Sequence, residues 1–395
     1  MTTSDIYIVS TARTPMGSMQ GAFSAVSASQ LGAVAIEAAL EKGGVSPKAI
    51  DEVFMGNVLM AGQGQAPARQ AALGAGIADS TPCTTLNKMC GSGLQALMTA
   101  CDTLKAGRGD IMVAGGMESM TNAPYLLPKA RSGMRMGHGQ VIDSMMLDGL
   151  TDAYSEGTLM GHFADKTAEK YQFTREDQDT FALESLRRAG EAIKGGAFKS
   201  EIAPVTIKGR KGDTIVDTDE APSKAMPEKI PGLRPAFNKD GTVTAANASS
   251  ISDGAAAVVL CSEEGLEKHG LKPVAKVLGY TSHAHAPEWF TTAPVGAIQK
   301  LMDNLNMSVD DFDLFEINEA FAVVTMAAMK EITIPHEKVN IHGGAVALGH
   351  PIGASGARIM TTLVHALQAE GKTRGIAALC IGGGEAVAMA VELID

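Results

Sequence analysis

Short apolar runs alternate along this chain with stretches in which apolar residues return every three or four positions, the pattern of an α/β protein. Ile6 to Val9 is the first run. Residues 29–41 then place Leu31, Val34, Ala35, Ala38 and Ala39 at helical spacing ahead of a turn at Gly43-Gly44, and Val53 to Leu59 reads as a strand. Thr81 to Met89 reads as another strand. It leads into Cys90 and a helix carrying Leu94, Leu97, Met98, Cys101 and Leu104 on one face.

The same order of signals returns near the end. Asp51 to Asn57 has an echo in Asp313 to Asn318, and Asn57 precedes Cys90 by 33 residues while Asn318 precedes His350 by 32. Cys90 and His350 each sit in a Gly-rich turn that opens a helix; after His350, Met360, Leu363, Val364 and Leu367 share a face. Each half then predicts a strand ending in glycines, Ile111 to Gly116 and Ala377 to Gly384. Two related halves predict two similarly folded domains with a site between them. Residues 121–245 have no counterpart, are rich in turn chemistry such as Lys208 to Asp213, and read as an inserted, mostly surface layer. The boundaries expected are 1–120 for the first half, completed by 246–270, then 121–245 for the insertion and 271–395 for the second half.

Composition narrows the function. At 395 residues, with 45% hydrophobic and 19% charged positions, the chain is globular and too long for one core. A net charge of −11 argues against a general nucleic-acid binder. No apolar run reaches the ~20 residues of a membrane span, and the start, Met1 to Ser10, shows neither a basic leader nor an Arg-rich one, so a cytoplasmic protein is expected. The five cysteines form no C-x-x-C pair, which fits neither a disulfide framework nor a zinc knuckle, and no metal is expected.

Cys90 lies between a strand and a helix start, where unpaired N–H groups favour thiolate. A cysteine taken alone is more often core filler; the Asn-x-x-Cys-Gly-Ser-Gly setting favours a nucleophile. Cys380 precedes Ile381-Gly382-Gly383-Gly384, which suits either a tight hairpin or a site whose N–H groups hold an oxyanion. His350, pinned between Gly349 and Pro351, suits a base or an electrophile, and Asn318 offers an uncharged donor at the equivalent point of the repeat. Cys83, Cys101 and Cys261 take the structural reading.

Four segments together resemble the thiolase family: Asn87 to Gly93 around Cys90, the Asn318-Glu319-Ala320-Phe321 box, Gly349-His350-Pro351-Ile352-Gly353, and Cys380 to Gly384. The likeness extends to Gly56-Asn57-Val58-Leu59, Pro67 to Gln70, Ala114 to Met120, Asn247-Ala248-Ser249 and Asp253 to Ala257, and is greatest to the short-chain acetyl-CoA acetyltransferases. It implies a five-layer α/β/α/β/α fold from two related halves plus a loop domain, assembled as a homodimer or homotetramer. It also implies roles. Cys90 carries the acetyl group. His350 activates Cys90 and, with a water on Asn318, binds the thioester oxygen of the second acetyl-CoA. Cys380 takes its α-proton, and the N–H groups of Cys90 and Gly382 face the oxyanion.

The substrates implied are acetyl-CoA and acetoacetyl-CoA, with no separate cofactor. Leu150, Met160, Phe237, Ala245, Ala248, Ser249, Ala320 and Phe321 match the positions that hold coenzyme A. Phe290, beside Trp289, matches the stretch lining the acyl end, where two large aromatics are expected to exclude long tails. The chain departs from many relatives at Leu159, at Pro222 (in a stretch lacking an expected Arg) and at His342. A broader-chain degradative 3-ketoacyl-CoA thiolase is the near alternative, and an inactive thiolase-like scaffold the alternative of a different class.

Overall fold

The computed structural model of the chain describes residues 5–394, so Met1 to Ser4 of the start read above lie outside the described residues. Nine principal strands follow in chain order: β1 (Ile6–Arg13), β2 (Glu52–Gly56), β3 (Cys83–Leu86), β4 (Ile111–Ser119), β5 (Ser252–Ser262), β6 (Ala275–Ala284), β7 (Leu314–Ile317), β8 (Arg374–Ile381) and β9 (Glu385–Leu393). The helices used below are α1 (Ala28–Gly43), α2 (Ser92–Lys105), α3 (Met160–Tyr171), α4 (Arg175–Gly195), α5 (Ala293–Leu305), α6 (Ala322–Ile332) and α7 (Ser355–Glu370).

The strands of the first half run β3-β2-β4-β5-β1, with the first two pairings parallel and the last two antiparallel. The second half runs β7-β8-β9-β6 in matching senses, and Val339 bridges Phe315 in parallel on the outer side of β7, the place β3 holds in the first half. The repeat read in the sequence is therefore a repeat of topology. Among the described residues, the halves join edge to edge at Tyr7–Lys276 and Ile8–Ala275.

Packing stacks these sheets with helices into five layers. One outer cluster sets α1 residues Leu31, Ala35 and Ile36 against Val9, Val53, Val113 and Val259. The other sets α5 residues Ile298 and Leu301 against Phe315, Ile376 and Ala388. Between the sheets, Leu94, Leu97 and Leu104 of α2 share one core with Ile359, Met360 and Leu363 of α7, and both sheets close over it. Local sequence fixes the outer helix ends: Ser27 and Gln30 form a capping box at α1, and Gly44 ends it at φ 61°.

Where α2 and α7 meet, small residues set the distance. A Cβ on Gly356 would stand 2.2 Å from the Leu94 nitrogen, and one on Gly93 would stand 2.8 Å from that of Ala357. The helices thus meet backbone to backbone at their first turns, which brings the Cys90 turn and the His350 turn together.

One expectation is corrected here: the glycines of the first-half strand do not end it, because β4 continues to Ser119. Segment 121–245 is also anchored to the first half: Arg13 of β1 is fully buried and bonds Glu201 at 2.5 Å and Asp219 at 2.7 Å, both from the insertion. Removing one partner of such a buried group typically costs about 3–5 kcal/mol. Within the same segment α4 and Phe198 pack Ala189 and Ala192 against Ala347 and Leu348 of the second half.

Candidate active site

The Cys90 turn is laced by its neighbours. Asn87 Oδ1 accepts the Met89 N–H at 2.9 Å, and the Ser92 hydroxyl accepts the Lys88 N–H at 2.8 Å and donates to the Met89 carbonyl at 2.6 Å. Met89 is held at φ 46°, so the turn carries strain that this lacing sustains. From the other half, Lys88 pairs with Glu385, and Ile381 fills the space beside Gly91.

Cys90 is half-buried, and burial pushes its thiol up to about 11. The N–H groups of Gly382 and of Cys90 itself pull the other way. These are the two donors expected for an oxyanion. They converge on one sulfur although their residues lie in opposite halves. Cys380 lies one residue before the end of β8, opposite Ala386, so the segment is a hairpin that also brings this thiol to Cys90. Its thiol is fully buried, near enough to Cys90 for their charges to interact, and burial raises it well above the ordinary cysteine value.

His350 is buried, and its N–H bonds the Ser250 carbonyl at 3.1 Å. Its Nδ1 lies 2.5 Å from Ser355 Oγ and 3.4 Å from Asn318 Nδ2. The Ser355 hydroxyl also sits 3.0 Å from the Pro351 carbonyl, which can only accept. A hydroxyl has one proton; with it on Pro351, Oγ accepts from Nδ1–H, and Nε2 keeps its lone pair. Nε2 has no protein partner among the described residues, and Asn318 Oδ1 has none either. Burial, helped by the charge of Arg358, pushes His350 down to about 3, so the resting imidazole is neutral.

The expected coenzyme A positions fall in two groups. Ala248 bridges Phe321, the Ser249 N–H bonds the Ala320 carbonyl at 3.0 Å, and the Ala322 N–H bonds that of Asn247 at 2.8 Å. The Ser-rich loop and the Asn318 box therefore lie side by side. Ala245 is exposed and lines a groove of about 370 Å³ with Lys224, Lys229 and Ser250. On the other side, Leu150 packs with Cys90 around Val58 and Ile352. Met160 opens α3 beside Gly382, where a Cβ would stand 3.3 Å from its sulfur. Leu159 precedes it as a helix cap whose side chain makes no capping bond.

Phe237, Phe321, Phe290 and Phe163 form an edge-to-face series with centroids 6.0 to 6.5 Å apart, and the cluster includes Cys380. Phe290 is 2% exposed. Trp289, expected beside it, is not part of this series: it lies outward under Lys166 and Lys170, whose ammonium groups stand 4.8 and 4.5 Å from its ring. Sequence reading missed Phe163 and Ser355. Phe163 stands one turn into α3, and Ser355 stands five residues beyond His350.

A family model described as the N-terminal domain of thiolase matches residues 6–264, and one described as the C-terminal domain of thiolase matches residues 271–393. The chain belongs to the thiolase family. It is 50% identical over 394 residues to acetyl-CoA acetyltransferase IA of Candida tropicalis, covering 99% of this chain and 98% of that one. Among solved thiolase-fold structures, the Bacillus anthracis acetyl-CoA acetyltransferase superposes with a TM-score of 0.96 at 40% identity, covering 99% of both chains. A thiolase from Ascaris suum, solved in complex with coenzyme A, superposes at 0.93 with 44% identity, covering 99% of this chain and all of that one.

Proposed function

We propose that this thiolase is an acetyl-CoA C-acetyltransferase, joining two acetyl-CoA molecules reversibly into acetoacetyl-CoA and coenzyme A. The observation that carries the reading is the convergence on Cys90 of the Gly382 N–H, with Cys380 beside it. The names of the full-length relatives support it.

In the first half-reaction the Cys90 proton passes to Nε2 of His350, and the thiolate attacks the acetyl carbon of acetyl-CoA. The oxyanion receives the N–H groups of Cys90 and Gly382, a term worth about 3–4 kcal/mol per donor. The carbon–sulfur bond to coenzyme A breaks, and the leaving thiolate takes the proton of Cys380. Acetyl-Cys90, a Cys380 thiolate and an imidazolium remain.

The second acetyl-CoA places its thioester oxygen on His350 and a water held by Asn318. Cys380 removes the α-proton; a thiol raised by burial is a strong base, as this weakly acidic C–H requires. The new carbanion attacks acetyl-Cys90, a carbon–carbon bond forms, and the Cys90 sulfur leaves with the proton from His350. Every group returns to its starting state, so the scheme needs no metal and no cofactor beyond its substrates.

Leu150, Met160, Phe237, Ala245, Ala248, Ser249, Ala320 and Phe321 hold coenzyme A in this reading, with segment 121–245 acting as its cover. Lys224 and Lys229 supply positive charge where an Arg was expected. Phe290 closes the acyl end. The exposed Tyr125, Met136 and Val141 of the 123–141 loop suit an interface between copies, hence a homotetramer built from dimers. No helix among the described residues is long and apolar enough to cross a membrane, and a cytoplasmic location fits this. The test is thiolysis: acetoacetyl-CoA plus coenzyme A is expected to give acetyl-CoA at rates far above those with longer 3-ketoacyl-CoAs. Hydrolysis to free acid alone would overturn the assignment.

A further inference from the structure

Glu118, on β4, is fully buried. Its Oε1 accepts from Asn57 Nδ2 at 2.8 Å and the Leu59 N–H at 3.1 Å; its Oε2 accepts from the N–H groups of Val58 at 2.9 Å and Gly353 at 2.9 Å. The first three donors belong to the first half. The fourth lies in the second half, inside the turn between His350 and Ser355. The carboxylate therefore ties the halves together at the level of the site.

The fit leaves no slack. A Cβ on Gly353 would stand 2.6 Å from Oε2 of Glu118, and one on Gly116 would stand 2.1 Å from the Gly353 carbonyl oxygen. The His350 turn is thus pressed onto β4, and these glycines are what permit it. No salt bridge is formed by Glu118 among the described residues; the charge acting on it is the like charge of Asp253.

We propose that Glu118 is a positioning residue for the acyl transfer: its carboxylate, held by three donors of the first half, fixes the His350 turn through the Gly353 N–H across the domain boundary. This deepens the function proposed above and rests on it. A displaced His350 turn lowers kcat at nearly constant KM, a split that a loss of stability, read separately from Tm, does not give.

The test compares wild type with Glu118→Gln and Glu118→Asp in the full chain at pH 8, measuring kcat and KM for acetoacetyl-CoA thiolysis, and Tm. Glu118→Gln keeps the shape and replaces one acceptor oxygen by an amide. It is expected to lower kcat by about 10- to 100-fold with KM nearly unchanged, the scale of an ångström-level misplacement. Glu118→Asp keeps the charge and shortens the reach to Gly353, so kcat falls there too. If Glu118→Gln does not fold, the Glu118→Asp enzyme decides. A folded Glu118→Gln enzyme with wild-type kcat overturns the proposal; so does a Glu118→Asp enzyme with unchanged kcat. A folded wild type that fails to cleave acetoacetyl-CoA would instead sink the acetyltransferase reading.

Discussion

The hydroxyl of Ser355 lies 2.5 Å from Nδ1 of His350 and donates its own hydrogen bond to the Pro351 carbonyl. Through that bond the first turn of α7 selects the tautomer of the imidazole, leaving Nε2 free to accept. Ser355→Ala leaves a buried N–H without its partner, a loss of about 1–3 kcal/mol. Steady-state thiolysis is expected to show kcat reduced by about tenfold or more with KM little changed. Unchanged kcat would mean that the Nδ1–Ser355 bond does not orient the ring.

Cys380 is assigned to proton transfer only. In Cys380→Ala the donors around Cys90 remain, so acetyl-CoA should still acetylate Cys90, whereas acetoacetyl-CoA formation should fall by orders of magnitude. Condensation at a near-normal rate would remove Cys380 from the mechanism.

Phe290 stands between Phe163 and Phe321 in the cluster that holds Cys380. Each methylene added to a substrate tail gains at most ~0.8 kcal/mol on burial. Forcing it into filled space costs about 1–3 kcal/mol. Phe290→Ala should therefore raise kcat/KM for six- to ten-carbon 3-ketoacyl-CoAs relative to the four-carbon substrate. Equal chain-length profiles in variant and wild type would place the tail elsewhere.

Burial pushes Glu118 up to about 7, against the pull of the N–H groups of Val58, Leu59 and Gly353; Asp253 adds to the rise. Burial pushes His350 down to about 3. As pH falls through 7 the Glu118 carboxylate gains a proton and loses acceptor capacity for the Gly353 N–H, so kcat/KM should fall on the acid side with a midpoint near 7. In Glu118→Gln nothing titrates there, and the limb should vanish. A limb that persists in the variant belongs to another group.

Much of this site was legible because its signals are local. Asn57, Cys90, Asn318 and His350 keep their spacing in both halves, and the topology repeats with them. The glycine motifs were visible, yet Gly116 was read as a strand end. Its neighbour is the Gly353 carbonyl, 237 residues away, and spacing alone cannot name such a neighbour. Ser355 escaped for a related reason: its bond to His350 depends on how α7 leaves the Pro351 turn. Trp289 and Phe290 are adjacent and equally apolar, and only packing separates the one under lysines from the one beside Cys380.

The central claim is that Cys90 carries the acyl group, and the most direct test is peptide mass spectrometry after brief incubation with acetyl-CoA and acid quenching. The account predicts an acetyl group, 42 Da to the nearest integer (about one acetyl for one hydrogen), on the peptide containing Cys90, abolished in Cys90→Ala and retained in Cys380→Ala, as covalent catalysis requires. Acetyl found on Cys380 with Cys90 unmodified would reverse the two roles and contradict the account.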